Sequence, residues 1–329
     1  MLLSDILAQP AAVGAMEQAL QHDRLAQSYL FVGPSGVGKQ ATALAVACAR
    51  NCTVAPGRGC SSCPTCQRIL AHNHPDVRVL RPRDEGNRNL QVEFIREELL
   101  PFTKFAPFEA RTAFVIVVEA DICFPQHHAE AANAILKTIE EPRANLVFML
   151  LSDRPSRLLP TIRSRCQQIR FQPLPPEVLT QILSGRDVDS TATTAAIALA
   201  GGRADRAIAL SEEGKGSAML AWAQRLDSTI EAGRPGAMLD VAEELAKHED
   251  RSLILDTWAL FYRDVAAIGL DSADLLYFVE QREPLAQRST SLQPERAAQR
   301  VARIERVTEE LARNGNPEIV LDALLFGMP

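Results

Sequence analysis

Residues 28–40 decide the fold, and they read Ser-Tyr-Leu-Phe-Val-Gly-Pro-Ser-Gly-Val-Gly-Lys-Gln. The apolar run Ser28–Val32 predicts a strand, and the glycine-rich loop after it fits G-x-x-x-x-G-K and leads into a helical pattern. Such a loop directs backbone N–H groups at phosphate oxygens, and Lys39 can reach the outer phosphates. A glycine-rich turn without a ligand is the alternative. The residues predicted to bind a nucleotide are Gly33, Gly36, Gly38, Lys39 and Gln40.

The first half of the chain alternates short apolar runs with helix-like segments, the pattern of a parallel sheet covered by helices on both faces. Pro142 ends the last of these helices because proline cannot continue one. The fold class predicted is therefore an α/β P-loop domain. The predicted strands are Ser28–Val32, Val77–Leu80, Thr112–Val118, Asn145–Leu151 and Cys166–Phe171, and the predicted helices are Gly38–Asn51, Leu90–Leu100 and Ala129–Glu141.

The second half of the chain has a different residue pattern, which begins at the proline-rich junction Pro173–Pro176. No alternating strand pattern follows it, and Ile254, Trp258, Phe261 and Val265 recur at steps of four, three and four, which indicates the buried face of a helix. We therefore expect Trp258 to be buried. The predicted domains are a core over residues 1–172, a small helical lid over 173–213 and an all-α domain over 214–329.

Charge and hydropathy exclude a general polyanion-binding protein and a membrane-spanning protein. The 329 residues carry 35 basic and 41 acidic side chains, a net charge of -6, so the whole molecule does not attract polyanions over long range. Six arginines fall between Arg143 and Arg170, and by default such a stretch is a solvated face.

The longest apolar run, Ala43–Ala49, has seven residues, whereas a membrane-spanning helix needs about 20. We expect a cytoplasmic protein, because no secretory signal pattern is present.

The phosphate loop departs from its pattern at the magnesium position. Gln40 stands where a Ser or Thr hydroxyl normally binds the ion, and Thr42, two residues on, faces another direction on a helix. The loop is therefore predicted to bind Mg²⁺ weakly if at all, whereas ATP or ADP binding remains possible.

The acidic half of the site is also incomplete. An ATPase of this kind needs adjacent acids for the metal and the attacking water, but the strand 112–118 is followed by Glu119, Ala120 and Asp121. Either alignment of Glu119 leaves one acid missing, so we expect the isolated chain to have no ATPase activity. In the alternative reading, Glu119 and Asp121 cap the next turn.

Four of the seven cysteines form a metal-binding pattern, C-x7-C-x2-C-x2-C, made by Cys52, Cys60, Cys63 and Cys66. Four thiolates at this spacing suit a closed tetrahedral Zn²⁺ site that supports structure and not catalysis. Reduced thiols and an iron–sulfur cluster are the alternatives. Cys48 lies four residues before Cys52 and could replace it as the first ligand.

Several motifs together resemble the delta-prime family of bacterial DNA polymerase III clamp-loader subunits. They are the phosphate loop, the cysteine module, His74-Pro75-Asp76, and two longer stretches, residues 131–142 (AANAILKTIEEP) and 155–166 (PSRLLPTIRSRC). The resemblance covers about the first 210 residues. It implies an AAA+ core, a helical lid and a helical collar that joins five subunits in a ring. Three extra residues, around Gln126–His128, lie between the predicted strand 112–118 and the helix that contains Asn133, and we expect His127 and His128 in an exposed turn.

The resemblance also implies a function in DNA replication. Arg165, in Ser164-Arg165-Cys166, would enter the ATP site of a neighbouring subunit, and Ser152 matches a γ-phosphate sensor position. The chain would then be a non-hydrolysing stator in a hetero-oligomer. The implied partners are the tau/gamma ATPase subunits, the delta subunit, the sliding clamp and primer-template DNA. The alternatives are an ATP-hydrolysing tau/gamma-type motor and a self-assembling AAA+ ATPase.

Overall fold

A computed structural model describes residues 2–82, 89–126, 129–184, 196–197, 199–212, 214–272, 276–278, 281–311 and 315–328. His127 and His128 lie outside these residues. The chain divides into two compact units, Met1–Val178 with Gly202–Ala204 and Leu179–Gly201 with Asp205–Pro329. The three-domain division at residues 172 and 213 stays a prediction.

The first unit is built on a five-stranded sheet in the order β2-β3-β4-β1-β5, with every neighbouring pair parallel. The two strands β3 and β4 are buried along their whole length, which explains their uninterrupted apolar sequence. All five predicted strands are confirmed, with ends that differ by at most one residue. The strands are β1 Ser28–Val32, β2 Val77–Leu80, β3 Ala113–Val117, β4 Leu146–Ser152 and β5 Gln167–Arg170.

Helices connect and cover these strands, so the predicted α/β class is confirmed. One apolar cluster joins Val115 of β3, Phe148 of β4 and Ile135 of the helix before β4. The helices are α1 Pro10–Gln21, α2 Lys39–Asn51, α3 Pro64–Leu70, α4 Val92–Phe94, α5 Leu100–Lys104, α6 Ala120–Cys123, α7 Ala129–Glu140 and α8 Pro160–Arg163. A π-helical turn, Ile95–Leu99, joins α4 to α5, so the helix predicted to end at Leu100 continues to Lys104.

The register of the sheet decides where the functional groups lie. Val32 of β1 pairs with Ser152 of β4, and Val117 of β3 pairs with both Leu150 of β4 and Leu80 of β2. The carboxyl ends of four strands therefore meet at one edge. Loops that follow these strands share that edge, which in parallel sheets is where ligands bind.

The second unit is helical throughout the residues described. The stripe predicted from residues 254–265 is confirmed, because Ile254, Trp258 and Val265 are fully buried. None of the described helices is long and apolar enough to cross a bilayer. The chain enters this unit within α9 Pro176–Ser184. The remaining helices are α10 Ala204–Leu210, α11 Lys215–Ala232, α12 Pro235–Lys247, α13 Arg251–Gly269, α14 Arg282–Ser291, α15 Pro294–Leu311 and α16 Pro317–Phe326.

A buried polar network links four helices of this unit. Asp227 of α11 accepts hydrogen bonds from Tyr262 of α13 at 2.8 Å and from Arg288 Nε of α14 at 2.7 Å. Arg300 of α15 is 5% exposed and contacts Asp227 at 3.2 Å, while both arginines contact Glu231 of α11. Charges that are taken out of water are tolerated only when they are paired in this way. The network therefore joins α11 to α13, α14 and α15.

We expect Arg300→Met to lower the free energy of unfolding of this unit by about 3 kcal/mol, because it leaves part of the buried carboxylate charge uncompensated. Trp222 and Trp258, the two tryptophans of the chain, both lie in the helical unit, so tryptophan fluorescence during denaturation reports on it. Arg296→Met is the matched control: Arg296 is exposed on the same helix, and its replacement should cost less than about 0.5 kcal/mol. Equal effects of the two substitutions would refute the structural importance of the network.

Candidate functional site

The loop after β1 and the start of α2 form one wall of a cleft of about 440 Å³ at the carboxyl edge of the sheet. Gly33 is required by close approach, because a Cβ there would lie 2.5 Å from the carbonyl oxygen of Phe171. Gly38 caps α2 with a φ of 99°, a conformation that favours glycine. The predicted residues Gly36, Lys39 and Gln40 all line the cleft, together with Glu119 and Asp153.

The ammonium of Lys39 is bound by the protein itself. Its Nζ donates to the carbonyl oxygens of Gly33 at 2.6 Å and Pro34 at 2.5 Å, and to Asp153 Oδ1 at 2.7 Å. These acceptors take all three protons of an ammonium group, and the Lys39 side chain is only 7% exposed. A phosphate that binds Lys39 must therefore compete with a carboxylate held within the same chain.

Asp153 was not predicted as a site residue from the sequence. The available signal was its position directly after β4, since residues that follow parallel strands meet at one edge.

The side chain at the magnesium position, Gln40, is also engaged. Gln40 Oε1 accepts a hydrogen bond from Arg81 Nη2 at 3.1 Å, which brings a guanidinium to this position. Arg81 follows β2, and sequence reasoning missed it as well. Thr42 donates its hydroxyl to the carbonyl oxygen of Gly38 at 2.9 Å, is fully buried, and is not among the residues that line the cleft.

The acids after β3 separate into two environments. Glu119 lines the cleft next to Val118 and is the N-cap residue of α6, where its side chain makes no capping hydrogen bond. Asp121 is buried and accepts hydrogen bonds from Ser152 Oγ at 2.7 Å and from the backbone N–H of Asp153 at 3.2 Å. Asp121 and the predicted sensor Ser152 thus hold the end of β4, and with it Asp153. Among the cleft residues that the structure describes, no two acids are adjacent in sequence.

The four predicted cysteine ligands come together between α2 and α3. The sulfur atoms of Cys52, Cys60, Cys63 and Cys66 all lie within 4.8 Å of one another, and Cys52 Sγ and Cys63 Sγ are 3.9 Å apart. A tetrahedral Zn²⁺ site with bonds of about 2.3 Å places its sulfurs about 3.8 Å apart, so this donor set fits the ion. The cluster could therefore hold zinc.

Cys48 lies beside Cys66 but is not one of the four clustered sulfurs. Cys48 Sγ faces the carbonyl oxygen of Cys66 at 3.8 Å, and burial raises the pKa of its thiol to about 11. In contrast, a hydrogen bond from the Ser62 hydroxyl, with backbone N–H groups of residues 62 and 63, lowers the pKa of Cys60 to about 6. The first member of the set is therefore Cys52, at the carboxyl end of α2.

Arg165 lies between α8 and β5, and its side chain is 33% exposed. Its Nη2 and Nε contact the two carboxylate oxygens of Glu140 at 3.2 Å each, and its Nη1 donates to the carbonyl oxygen of Thr161 at 3.0 Å. The strand register separates Arg165 from the cleft of its own chain. Gln167 pairs with Tyr29 at the amino end of β1, whereas the cleft begins beyond Val32 at the carboxyl end.

Comparison with known proteins finds similarity to subunits of DNA polymerase III. Residues 8–175 match the family model described as DNA polymerase III, delta subunit. The chain is 27% identical to the DNA polymerase III subunit delta' of Bacillus subtilis over 97% of this chain and 95% of that protein. It is 38% identical to the Pseudomonas aeruginosa subunit delta' over 46% of this chain and 44% of that one.

The chain is also 34% identical to the gamma/tau subunit of Mycobacterium tuberculosis over 55% of this chain and 30% of that protein. Among solved structures, a gamma subunit-related protein of Thermotoga maritima covers 94% of this chain and 97% of its own, with 17% identity and a TM-score of 0.45.

We expect Asp153→Asn to tighten the binding of ADP by about five- to tenfold, because it removes the carboxylate that competes for Lys39, worth about 1 kcal/mol. Titration of the protein with fluorescent ADP in the presence of a metal chelator measures this affinity. Lys39→Ala should abolish binding in either background.

Asp23→Asn is the matched control, because it makes the same change in charge at a carboxylate that pairs with Arg50 and does not line the cleft. We expect no change in affinity for this control. An equal gain in both variants would mean that net charge, and not the Lys39–Asp153 pair, limits binding.

Proposed function

The chain belongs to the delta-prime family of DNA polymerase III clamp-loader subunits, and from this premise we propose that it is a stator that does not hydrolyse ATP. In this proposal it holds its place in the loader and supplies Arg165 to the ATP site of a neighbouring subunit. The observation that carries the proposal is the state of its own cleft. Both cationic positions of a phosphate site, the lysine and the metal position, are engaged by side chains of the same chain.

The contacts in the cleft favour a stator over a tau/gamma-type motor. Hydrolysis of ATP needs a metal ion held by a hydroxyl and an acid, with a second acid or amide that orients the attacking water. Gln40 has no hydroxyl and its oxygen binds a guanidinium, while Asp153 is paired with Lys39 and Asp121 is turned toward β4. Nucleotide can still bind, but it must displace the Lys39–Asp153 pair.

The position of Arg165 supports a role in trans. Arg165 precedes the amino end of β5, and a four-residue parallel strand spans about 13 Å, so the arginine lies at the sheet edge opposite to its own cleft. A guanidinium supplied by a neighbour stabilises the charge that develops on the γ-phosphate during transfer. This placement also argues against a ring of identical copies, because each arginine would then face a cleft that lacks a metal ligand.

The proposed partners follow from the relatives. Similarity to delta-prime and to gamma/tau subunits supports a hetero-oligomeric loader that contains tau/gamma ATPase subunits and a delta subunit. We propose that this assembly places the sliding clamp on primer-template DNA.

We also propose that the cysteine cluster binds one structural zinc ion. Cys63 is the N-cap of α3 and Cys52 ends α2, so a metal there would join the two helices across the loop 53–62. The ion would contribute folding free energy directly, since a loop of this kind lacks an apolar core of its own.

For the stator, we expect Arg165→Ala to lower ATP hydrolysis at the neighbouring site by about 10³-fold in the loader assembled with its other subunits and primed DNA. In a single-turnover measurement, the ATP that the neighbouring site normally hydrolyses should then remain uncleaved on the same time scale. Arg163→Ala, which changes a partly buried arginine two residues earlier, should have no such effect.

Two results would overturn the stator proposal. The first is unchanged hydrolysis by the Arg165→Ala loader. The second is ATP turnover by the isolated chain that Lys39→Ala abolishes.

For the metal, we expect about one zinc per chain in protein purified without added metal, and none in Cys63→Ser, as measured by elemental analysis. Cys48→Ala should keep its zinc, because its sulfur lies outside the cluster. Metal-free wild-type protein, or loss of zinc from Cys48→Ala, would contradict this assignment.

A further inference from the structure

The guanidinium of Arg165 is held on one edge by a single carboxylate. Glu140 presents its two oxygens to Nε and Nη2 at 3.2 Å each, a paired geometry that fixes the plane of the guanidinium as well as its position. A third bond, from Nη1 to the carbonyl oxygen of Thr161 at 3.0 Å, restrains the remaining rotation. The side chain is thus anchored in its own chain before any partner is present.

This anchoring leaves donors for a partner. A guanidinium has five N–H groups, and the bonds to Glu140 and Thr161 use three of them among the described residues. The other two belong to Nη1 and Nη2, at the end of a side chain that is one-third exposed. Two N–H groups on neighbouring nitrogens match two oxygens of a phosphate.

Glu140 itself is placed by the fold. It is the last residue of α7, directly after Ile139, which is 2% exposed and packs in the apolar cluster of the sheet. An acidic residue at the carboxyl end of a helix is disfavoured by the helix dipole. Because Glu140 is itself half exposed, the ion pair contributes little to stability. Neither local helix preference nor stability therefore accounts for this contact, whereas orientation of Arg165 does.

We propose that Glu140 is a positioning residue that holds Arg165 in the orientation needed to bind the γ-phosphate of ATP on the neighbouring subunit. The inference rests on the proposed role of Arg165 in trans. A flexible arginine would have to lose its rotamer freedom when the transition state forms, whereas an arginine already held by Glu140 loses little. Glu140 then acts on the rate of hydrolysis and not on the binding of ATP.

An increase in ATP hydrolysis on neutralisation of Glu140 would be equally measurable. If Glu140 competed with the phosphate for Arg165, its neutralisation would release the arginine and raise hydrolysis. The direction of the change therefore separates a positioning residue from an inhibitory contact.

The test compares loaders that contain Glu140→Gln, Glu141→Gln, Arg165→Ala or both Glu140→Gln and Arg165→Ala, with ATP hydrolysis measured in single turnover on primed DNA. We expect Glu140→Gln to lower hydrolysis at the neighbouring site by about 10- to 100-fold with an unchanged affinity for ATP. Glu141→Gln makes the same change one residue on, at an exposed side chain, and should have no effect. In the Arg165→Ala background Glu140→Gln should add nothing, because the two residues act as one unit.

The outcomes distinguish this inference from the proposed function. Unchanged hydrolysis in Arg165→Ala overturns the role of Arg165 and, with it, the role of Glu140. A loss in Arg165→Ala with wild-type or raised hydrolysis in Glu140→Gln overturns positioning alone. A further loss in the double variant shows that Glu140 acts elsewhere, and so does a lowered melting temperature of Glu140→Gln that accounts for its defect.

Discussion

The parallel pairing of β1 with β4, with Val32 opposite Ser152, is the constraint on which the rest of the first unit depends. It brings the loop that carries Lys39 beside the residue that follows β4, so that an ammonium and a carboxylate meet at 2.7 Å. The same parallel arrangement sends the amino end of β5, and Arg165 before it, to the other edge of the sheet. The register of the sheet thus places the cleft and Arg165 at opposite edges.

The energetics of the cleft follow from this arrangement. An ammonium that is buried to 7% exposure must be paired, and Asp153 with two loop carbonyls supplies that pairing within the chain. In a hydrolysing site the phosphates and the metal ion complete these interactions. Here Asp153 and Arg81 provide charges of the same signs from protein side chains. The ionic group of Lys39 and the amide oxygen of Gln40 are consequently engaged within the chain.

Much of the core could be predicted from residue patterns, for reasons that apply to particular elements. Strands such as β4, buried on both faces, have an uninterrupted apolar sequence, and Trp258 lies in a stripe with helical spacing. Thr42 lies outside the lining of the cleft, as its spacing from Gln40 on a helix predicts. Asp153, Arg81 and Glu140 were missed because each acquires its role through a contact with a residue 25 to 114 positions away.

The amino-acid sequence by itself determined the elements and the chemical types in this protein: a phosphate loop without its hydroxyl, four cysteines at metal-binding spacing, and the motif that contains Arg165. These are local properties, set by the order of side chains along a few turns of chain. Only the tertiary structure decided that Cys52 and not Cys48 joins the cluster, that Asp121 holds β4, and that Lys39 and Arg165 each have a carboxylate partner. The physical reason is that an ion pair or a ligand set depends on distance in space, and parallel strand register and helix packing fix that distance between residues far apart in the chain.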